Sequence, residues 1–359
     1  MAPQTQPKAR LTSIDALRGL VMIIMALDHV RDFFHADASV FQPDNLARTT
    51  TALFFTRWIT HFCAPTFMFT AGLGAFFWLR GGRTKNELSA FLWKRGLWLI
   101  FLEFTIERLG LDPTFVTAPI YLIVLWSLGW AMIALAVLVH LPARVVAAIS
   151  IATIALHNLL DPIKAAQIGS AGWIWKLLHE QSAMQVGGIT IIAGYPLIPW
   201  IAVMALGYCF GPIIRDRRRL LVIGLGMSAA FVLLRAINVY GDPSPWNGTT
   251  LLSFLRCTKQ PPSLDYLLMT LGPAIVVLSW FDRLSFGETN PLIVFGRVPL
   301  FYFLLHLLVA HLVALALGET HHLWAVYVMW IAVVAGLYPV CLWYMRLKKR
   351  NRAGWLSYM

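Results

Sequence analysis

Five ionisable residues crowd the far end of one apolar run: Asp28, His29, Arg31, Asp32 and His35 follow the stretch Leu20–Leu27. On a helix, Asp28, Arg31, Asp32 and His35 fall at i, i+3, i+4 and i+7, which is one face. Ionised groups at membrane depth are costly, so they pair with one another or line a polar cavity. A plain anchor needs no such face, whereas a reaction or transport site does. The next apolar run carries Arg57 and His61, an i, i+4 pair, followed by Pro65, which should loosen the helix by freeing a carbonyl. Asp28, His29, Asp32, His35, Arg57 and His61 therefore form a candidate pocket. Histidine beside carboxylate is the usual arrangement of a general base, because the carboxylate fixes the tautomer and stabilises imidazolium. The plainer reading is that Asp28 and Arg31 neutralise each other at a helix end. His29 lies about 100° away from the charged face and could simply be packed. Asp28, Asp32, His35 and His61 are metal-ligand types, but their spacing is not diagnostic and no metal is expected.

Weaker candidates follow along the chain. Glu103 and Glu107 are spaced to share a face beside Arg108, and Arg235 and Asn238 precede Tyr240-Gly-Asp-Pro. Asn290-Pro291 reads as a helix N-cap with a first-turn proline. Beyond it come Arg297, Tyr302, His306 and His311, with His306 at mid-membrane as a polar contact or part of an internal channel. Arg18, Arg80, Arg83 and Arg297 sit where cytosolic phosphates could be met, although arginines there also serve as topology anchors.

These residues need a scaffold, and the composition names its class. The chain has 359 residues, 58% hydrophobic and 13% charged, with mean hydropathy +0.68. Soluble domains carry about 25% charged residues, so this is an integral membrane protein. The net charge of +12 lies in short loops between apolar runs and is no nucleic-acid patch. Cys63, Cys209, Cys257 and Cys341 show neither disulfide-framework nor zinc spacing. No GxGxxG, Walker A, GxSxG or HExxH pattern occurs. The first apolar run is too long for a signal-peptide core and reads as a retained helix. Apolar runs of about 20 residues lie at Ile14–Phe34, Leu53–Leu79, Leu88–Ile106, Ala118–Val139 and Val145–Leu160, and then at Ile192–Ile213, Leu220–Val239, Leu264–Phe281, Leu292–Leu317 and Leu323–Met345. The expected fold is all-α, a polytopic bundle of about ten transmembrane helices. Basic residues alternate so that both termini are expected to be cytoplasmic, from Lys8 and Arg10 to Arg350 and Arg352. Two long outer loops, Asp161–Gly194 and Gly241–Ser263, read either as a lid or as plain connectors.

Leu11-Thr-Ser-Ile-Asp-Ala-Leu-Arg-Gly19 resembles the opening signature of the heparan-alpha-glucosaminide N-acetyltransferase-like family, in its bacterial inner-membrane branch. The stretches 57–72, Tyr240-Gly-Asp-Pro-Ser-Pro-Trp246 and Phe295–His306 support the resemblance, which is strongest over residues 10–80 of a single domain covering 1–359. It implies transfer of an acetyl or short acyl group from cytosolic acetyl-CoA to an outward-facing glycan or amino sugar. It also implies a catalytic histidine after the first helix, either His35 or His29, assisted by Asp28, Asp32 and His61. His29 stands where lysosomal relatives have asparagine, and His61 where they have an acidic residue, so the acceptor should differ and heparan is not expected. Arg18 and Arg297 would hold the CoA donor, and Arg57, Trp58, Asp242 and Trp246 the acceptor. Expected partners are acyl-CoA, a glycan or small amine or hydroxyl acceptor, and the lipid bilayer, with a homodimer left open and nucleic acid excluded. The alternative function is a proton-coupled transporter using the same buried charges, and a third is a structural membrane protein without turnover.

Overall fold

A computed structural model describes residues 11–111, 119–318 and 321–351. Lys8, Arg10, Arg352 and the Ala118 start of the fourth expected segment lie outside the described residues.

Helix α1 covers Thr12–Phe34. The second expected segment divides into α2, Thr51–Thr60, and α3, Cys63–Arg80. The cause is Pro65, which has no N–H for the carbonyl four residues back. That carbonyl belongs to His61, and the buried Tyr266 hydroxyl donates to it instead, at 2.8 Å. The bend therefore falls before the proline rather than at it. Helix α4, Lys85–Leu102, opens on a Thr84/Glu87 capping box and passes through one π-turn, Glu103–Glu107, into α5, Arg108–Leu111.

Strand β1, Ile120–Leu122, precedes α6, Val124–Leu138, and α7, Ala143–Leu156, runs on through a 3-10 turn to Leu160. The long outer segment is folded. It contains α8, Gly172–Leu178, and a hairpin of β2, Ser182–Val186, with β3, Ile189–Ala193. Strand β3 also pairs in parallel with β1, closing a three-stranded sheet. Gly187 and Gly188 turn the hairpin with φ of 59° and 82°, a conformation that disfavours side chains with Cβ. The fourth and sixth expected segments are thus corrected. Each opens with strand, and its helix begins late, at Val124 and at Leu197.

The rest is helical: α9, Leu197–Phe210; α10, Arg217–Ile237; α11, Leu251–Leu255; and α12, Leu264–Phe281. Then come α13, Pro291–Arg297, α14, Pro299–Leu317, and α15, Leu323–Arg350. Asn290 caps α13 as its sequence implies, accepting from the Leu292 N–H at 2.9 Å. Six helical stretches among the described residues are long and apolar enough to cross a membrane. Helix α1 is not one of these, because Asp15, Arg18, Asp28, Arg31 and Asp32 spoil its apolar count. It nevertheless sits at the centre, packed against α2, α3, α12, α13, α14 and α15.

Two glycines set the closest of these approaches. A Cβ on Gly19 would lie 1.8 Å from the Leu292 carbonyl oxygen, and one on Gly296 would lie 1.7 Å from that of Asp15. Small residues allow helix backbones to meet where lipid supplies no hydrophobic drive. Gly19→Ala and Gly296→Ala should each destabilise the protein by roughly 1–3 kcal/mol through overpacking. Gly226→Ala, with nothing within 4 Å of the added carbon, is the control. Thermal melting in detergent reads the difference, and equal melting of all three would refute the close contact.

Candidate active site

Helix α1 presents two chemically distinct clusters from one stretch of sequence. The first is ionic and centres on Asp28. Its carboxylate accepts from the Arg57 guanidinium and from the Thr60 hydroxyl at 2.9 Å, and forms an ion pair with Arg31 at 2.8 Å. Arg31 also reaches Asp32 at 2.5 Å. The plainer sequence reading, neutralisation of Asp28 by Arg31, is thus present, and Arg57 extends it to a second helix. His61 shares the electrostatic surroundings of Asp28, Arg31, Arg57 and Lys259. Its ring centroid lies 5.3 Å from that of Tyr266, and its buried Nδ1 has no hydrogen-bond partner.

The second cluster lies on another face of α1. The His29 ring is 5.1 Å from that of His306 on α14. His306 is fully buried, and its Nδ1 lies 3.0 Å from the Tyr302 carbonyl oxygen. A carbonyl only accepts, so Nδ1 carries the proton and Nε2 keeps its lone pair. That Nε2 is buried without a partner, as is the Tyr302 hydroxyl. An imidazole fixed as a neutral tautomer with a free lone pair is equipped to take a proton.

A cavity of about 270 Å³ lies against α1 and α14, and neither His29 nor His306 lines it. Its walls come from α1, α3, α4, α6 and α14 and are mostly apolar, with Arg18 and Arg95 as the cations. Met22 and Met25 on α1 and Leu300 and Phe303 on α14 line it, and His29 and His306 follow one turn further on each helix. The Phe303 ring lies 6.4 Å from His29. At about 1.5 Å per residue, roughly 16 Å of helix axis separates Arg18 from His29.

The single pocket expected from the sequence is therefore corrected in several places. His29 faces His306, not the ionic cluster. His35 caps the C-terminus of α1, where its Nδ1 accepts from the Asp37 N–H at 3.2 Å. Its backbone neighbours are tied to His321, with Ala36 N–H donating to the His321 carbonyl at 3.1 Å. Burial holds the His35 imidazole below its ordinary pKa, while the Asp37 carboxylate opposes that shift. Asp32 is half exposed. Trp58 packs against α12, donating to the Met269 sulfur at 3.2 Å.

Of the two arginines expected to hold the donor, Arg18 lines the cavity and bonds the Thr70 carbonyl. Arg297 is engaged elsewhere, with Asp15 and Glu288, each at 3.4 Å. Asp242 and Trp246 belong to a folded cap between α10 and α12. The Asp242 carboxylate accepts from Ser244, Thr258 and Ser263, and Trp246 exchanges two 3.0 Å hydrogen bonds with Asn238. Buried Arg235 holds the same cap by donating to the carbonyls of Ser244, Ser253, Phe254 and Arg256. Glu103 caps α6, accepting from the Ile123 and Trp126 N–H groups at 2.6 and 2.8 Å.

Three residues near the clusters escaped the sequence reading. Arg95 is the second cation of the cavity, Lys259 comes from the cap, and Tyr195 shares the surroundings of Arg57 and Asp28. Desolvation, reinforced by the Arg57 cation, brings the Lys259 ammonium down to about 8.

The fold defines a multi-pass membrane protein with two buried polar clusters on α1 and an apolar cavity on the same helix. The family described as heparan-alpha-glucosaminide N-acetyltransferase, catalytic, matches residues 10–246, and the chain belongs to that family. A comparison with curated proteins finds no match. Beyond the matched region, α11 packs on α2, and α12 to α15 all pack on α1.

Two expectations follow from the charges. Asp28→Asn strips the counter-ion from the partly buried Arg57 guanidinium and one of two from buried Arg31, and should cost on the order of 3–5 kcal/mol. Asp32→Asn, at a half-exposed carboxylate, should cost less than about 1 kcal/mol, and denaturation in detergent would reveal an inverted order. Lys259 binds its proton less tightly in the native state (about 8) than its ordinary value of 10.5. The unfolded chain then holds the extra proton between those values, so stability rises as pH climbs through that window. Competitive labelling with an amine-reactive reagent should find Lys259 half-reactive near pH 8, and a midpoint above 10 would contradict its desolvation.

Proposed function

We propose that the protein transfers an acetyl or short acyl group from cytosolic acyl-CoA to an outward-facing glycan or amino-sugar acceptor. The observation that carries this reading is the apolar cavity lined by two cationic side chains, with the His29–His306 pair one helical turn beyond its Met25 and Phe303 walls. A cavity of this character suits the acyl-pantetheine arm, while Arg18 and Arg95 face the anionic end of the donor. In the reaction, the His306 Nε2 lone pair, or His29 beside it, takes the proton from the acceptor amine or hydroxyl. The acceptor heteroatom bonds to the thioester carbonyl carbon, the C–S bond breaks, and the proton leaves with the CoA thiol.

The ionic cluster on the neighbouring face of α1 supplies Arg57, Lys259 and His61 for the acceptor. His35, at the rim, is assigned to acceptor entry. The proposal takes the ten segments as crossing a bacterial inner membrane, with both termini inside, as the alternation of basic loops implies. Family membership favours acyl transfer over proton-coupled transport.

Membrane vesicles supplied with acyl-labelled CoA and amino-sugar acceptors test the reading. His306→Ala and His29→Ala should each lower transfer by about 100-fold or more, the range of general-base loss, while His35→Ala should retain most of it. Full transfer in both of the first two variants would reject the assigned base. Solute flux without any acyl donor would favour the transporter.

A further inference from the structure

A third group of histidines lies at the outer end of the bundle, apart from both clusters on α1. His157 opens the 3-10 turn that ends α7, Asp161 follows one turn later, and His179 caps α8. One ligand atom from each side chain lies within 4.8 Å of the other two. His179 Nε2 is 3.1 Å from the Asp161 carboxylate, and the two imidazoles stand edge to face with centroids 5.6 Å apart.

His157 and His179 are 2% and 3% exposed. The Pro262 carbonyl lies near the His157 ring, but under strict hydrogen-bonding geometry neither ring nitrogen of His157 has a partner, nor does Nδ1 of His179. A buried polar atom left unsatisfied costs about 1–3 kcal/mol, so three such atoms on two facing rings call for an occupant. Water could meet one or two of them. A carboxylate already aimed between the rings points to a cation.

From this arrangement we infer a binding site for a divalent first-row transition ion of the zinc class, held by His157, Asp161 and His179. Two imidazoles and one carboxylate are borderline ligands that suit zinc, whereas calcium and magnesium prefer all-oxygen shells. In a tetrahedron with bonds of about 2.0–2.2 Å, ligand atoms stand about 3.3–3.5 Å apart. The 3.1 Å His179–Asp161 spacing is about 0.2 Å short of that, so those two ligands part slightly and His157 closes by a small ring movement. The outer shell is also present. Asn158 donates to the second Asp161 oxygen at 2.8 Å, and its own carbonyl oxygen accepts from the Leu264 N–H at 2.9 Å. Such outer partners orient the ligands of metal sites. Three protein ligands leave one position for water, and the ion ties α7 and α8 to the start of α12.

Metal analysis of the full-length, tag-free protein in detergent, stripped with chelator and then titrated with Zn²⁺, tests the site. About one tightly held ion per chain is expected. Co²⁺ should give a visible absorption band that Zn²⁺ abolishes. His157→Ala, His179→Ala and the shape-preserving Asp161→Asn should each weaken binding at least as much as the roughly 10–100-fold typical of outer-shell losses. On the unaltered protein, Zn²⁺ should shield His157 and His179 from diethyl pyrocarbonate, read by mass spectrometry. Failure of the stripped wild type to take up Zn²⁺, unchanged affinity in all three variants, or unshielded modification of both histidines would overturn the proposal.

Discussion

A carboxylate in a low-dielectric interior must be neutralised locally, and Asp28 is where the structure meets that demand. An unpartnered ion there costs several kcal/mol even after relaxation. Arg31 lies one turn along the same helix, but its guanidinium is shared with Asp32. Arg57 and Thr60 supply the remainder, and both come from α2. The chain must therefore return across residues 35–50 and lay α2 beside α1. The same requirement fixes the rotation of α1 about its axis. With residues 28, 31 and 32 turned toward α2, His29, about 100° away, turns toward α14 and meets His306.

The helix breaks follow from backbone chemistry and serve the same geometry. Polar backbone is tolerated at membrane depth only where protein satisfies it. Pro65 leaves the His61 carbonyl without its helical donor, and Tyr266 of α12 fills the place. Pro299 starts α14 afresh after Val298, which breaks from the helical conformation with φ −128° and ψ 47°. That joint lets α13 press Gly296 against α1 while α14 runs on to carry Phe303 and His306 past the cavity. A continuous helix over residues 291–317 would have to choose between those two contacts.

What could be read from the sequence followed from periodicity and charge. The helices of the bundle appear as apolar runs, and Leu264–Phe281 has the same bounds in the structure. The ionic face of α1 was visible because its four residues share one helical phase. The His29–His306 pair was not, because 277 positions separate its members (306 − 29) and only the packing of α14 on α1 joins them. Arg95 sat in an apolar run without a periodic partner, and Lys259 in a loop, so neither carried a local signal. Asp242 and Trp246 were assigned to the acceptor through the family resemblance of the stretch Tyr240–Trp246. The structure spends them on folding the cap, which no local pattern distinguishes from binding. His157, Asp161 and His179 were hidden by a connection whose 3-10 turns and α8 hold little periodicity.

The placement of charge explains why a histidine, rather than a carboxylate, stands at the head of the cavity. A carboxylate base there would need counter-ions of its own, as Asp28 does, and those would mask its lone pairs. A neutral imidazole carries no net charge at rest and so incurs no ion-burial cost. Under the acyl-transfer reading it would meet that cost only when it takes a proton, as negative charge develops beside it. The Tyr302 carbonyl contributes by holding Nδ1–H, which leaves Nε2 as the acceptor in the resting state. Under the acyl-transfer reading, cations then stand at two levels, Arg18 and Arg95 inside and Arg57 and Lys259 outside. The neutral pair lies between them, so charge appears at the middle of the bundle only during the reaction.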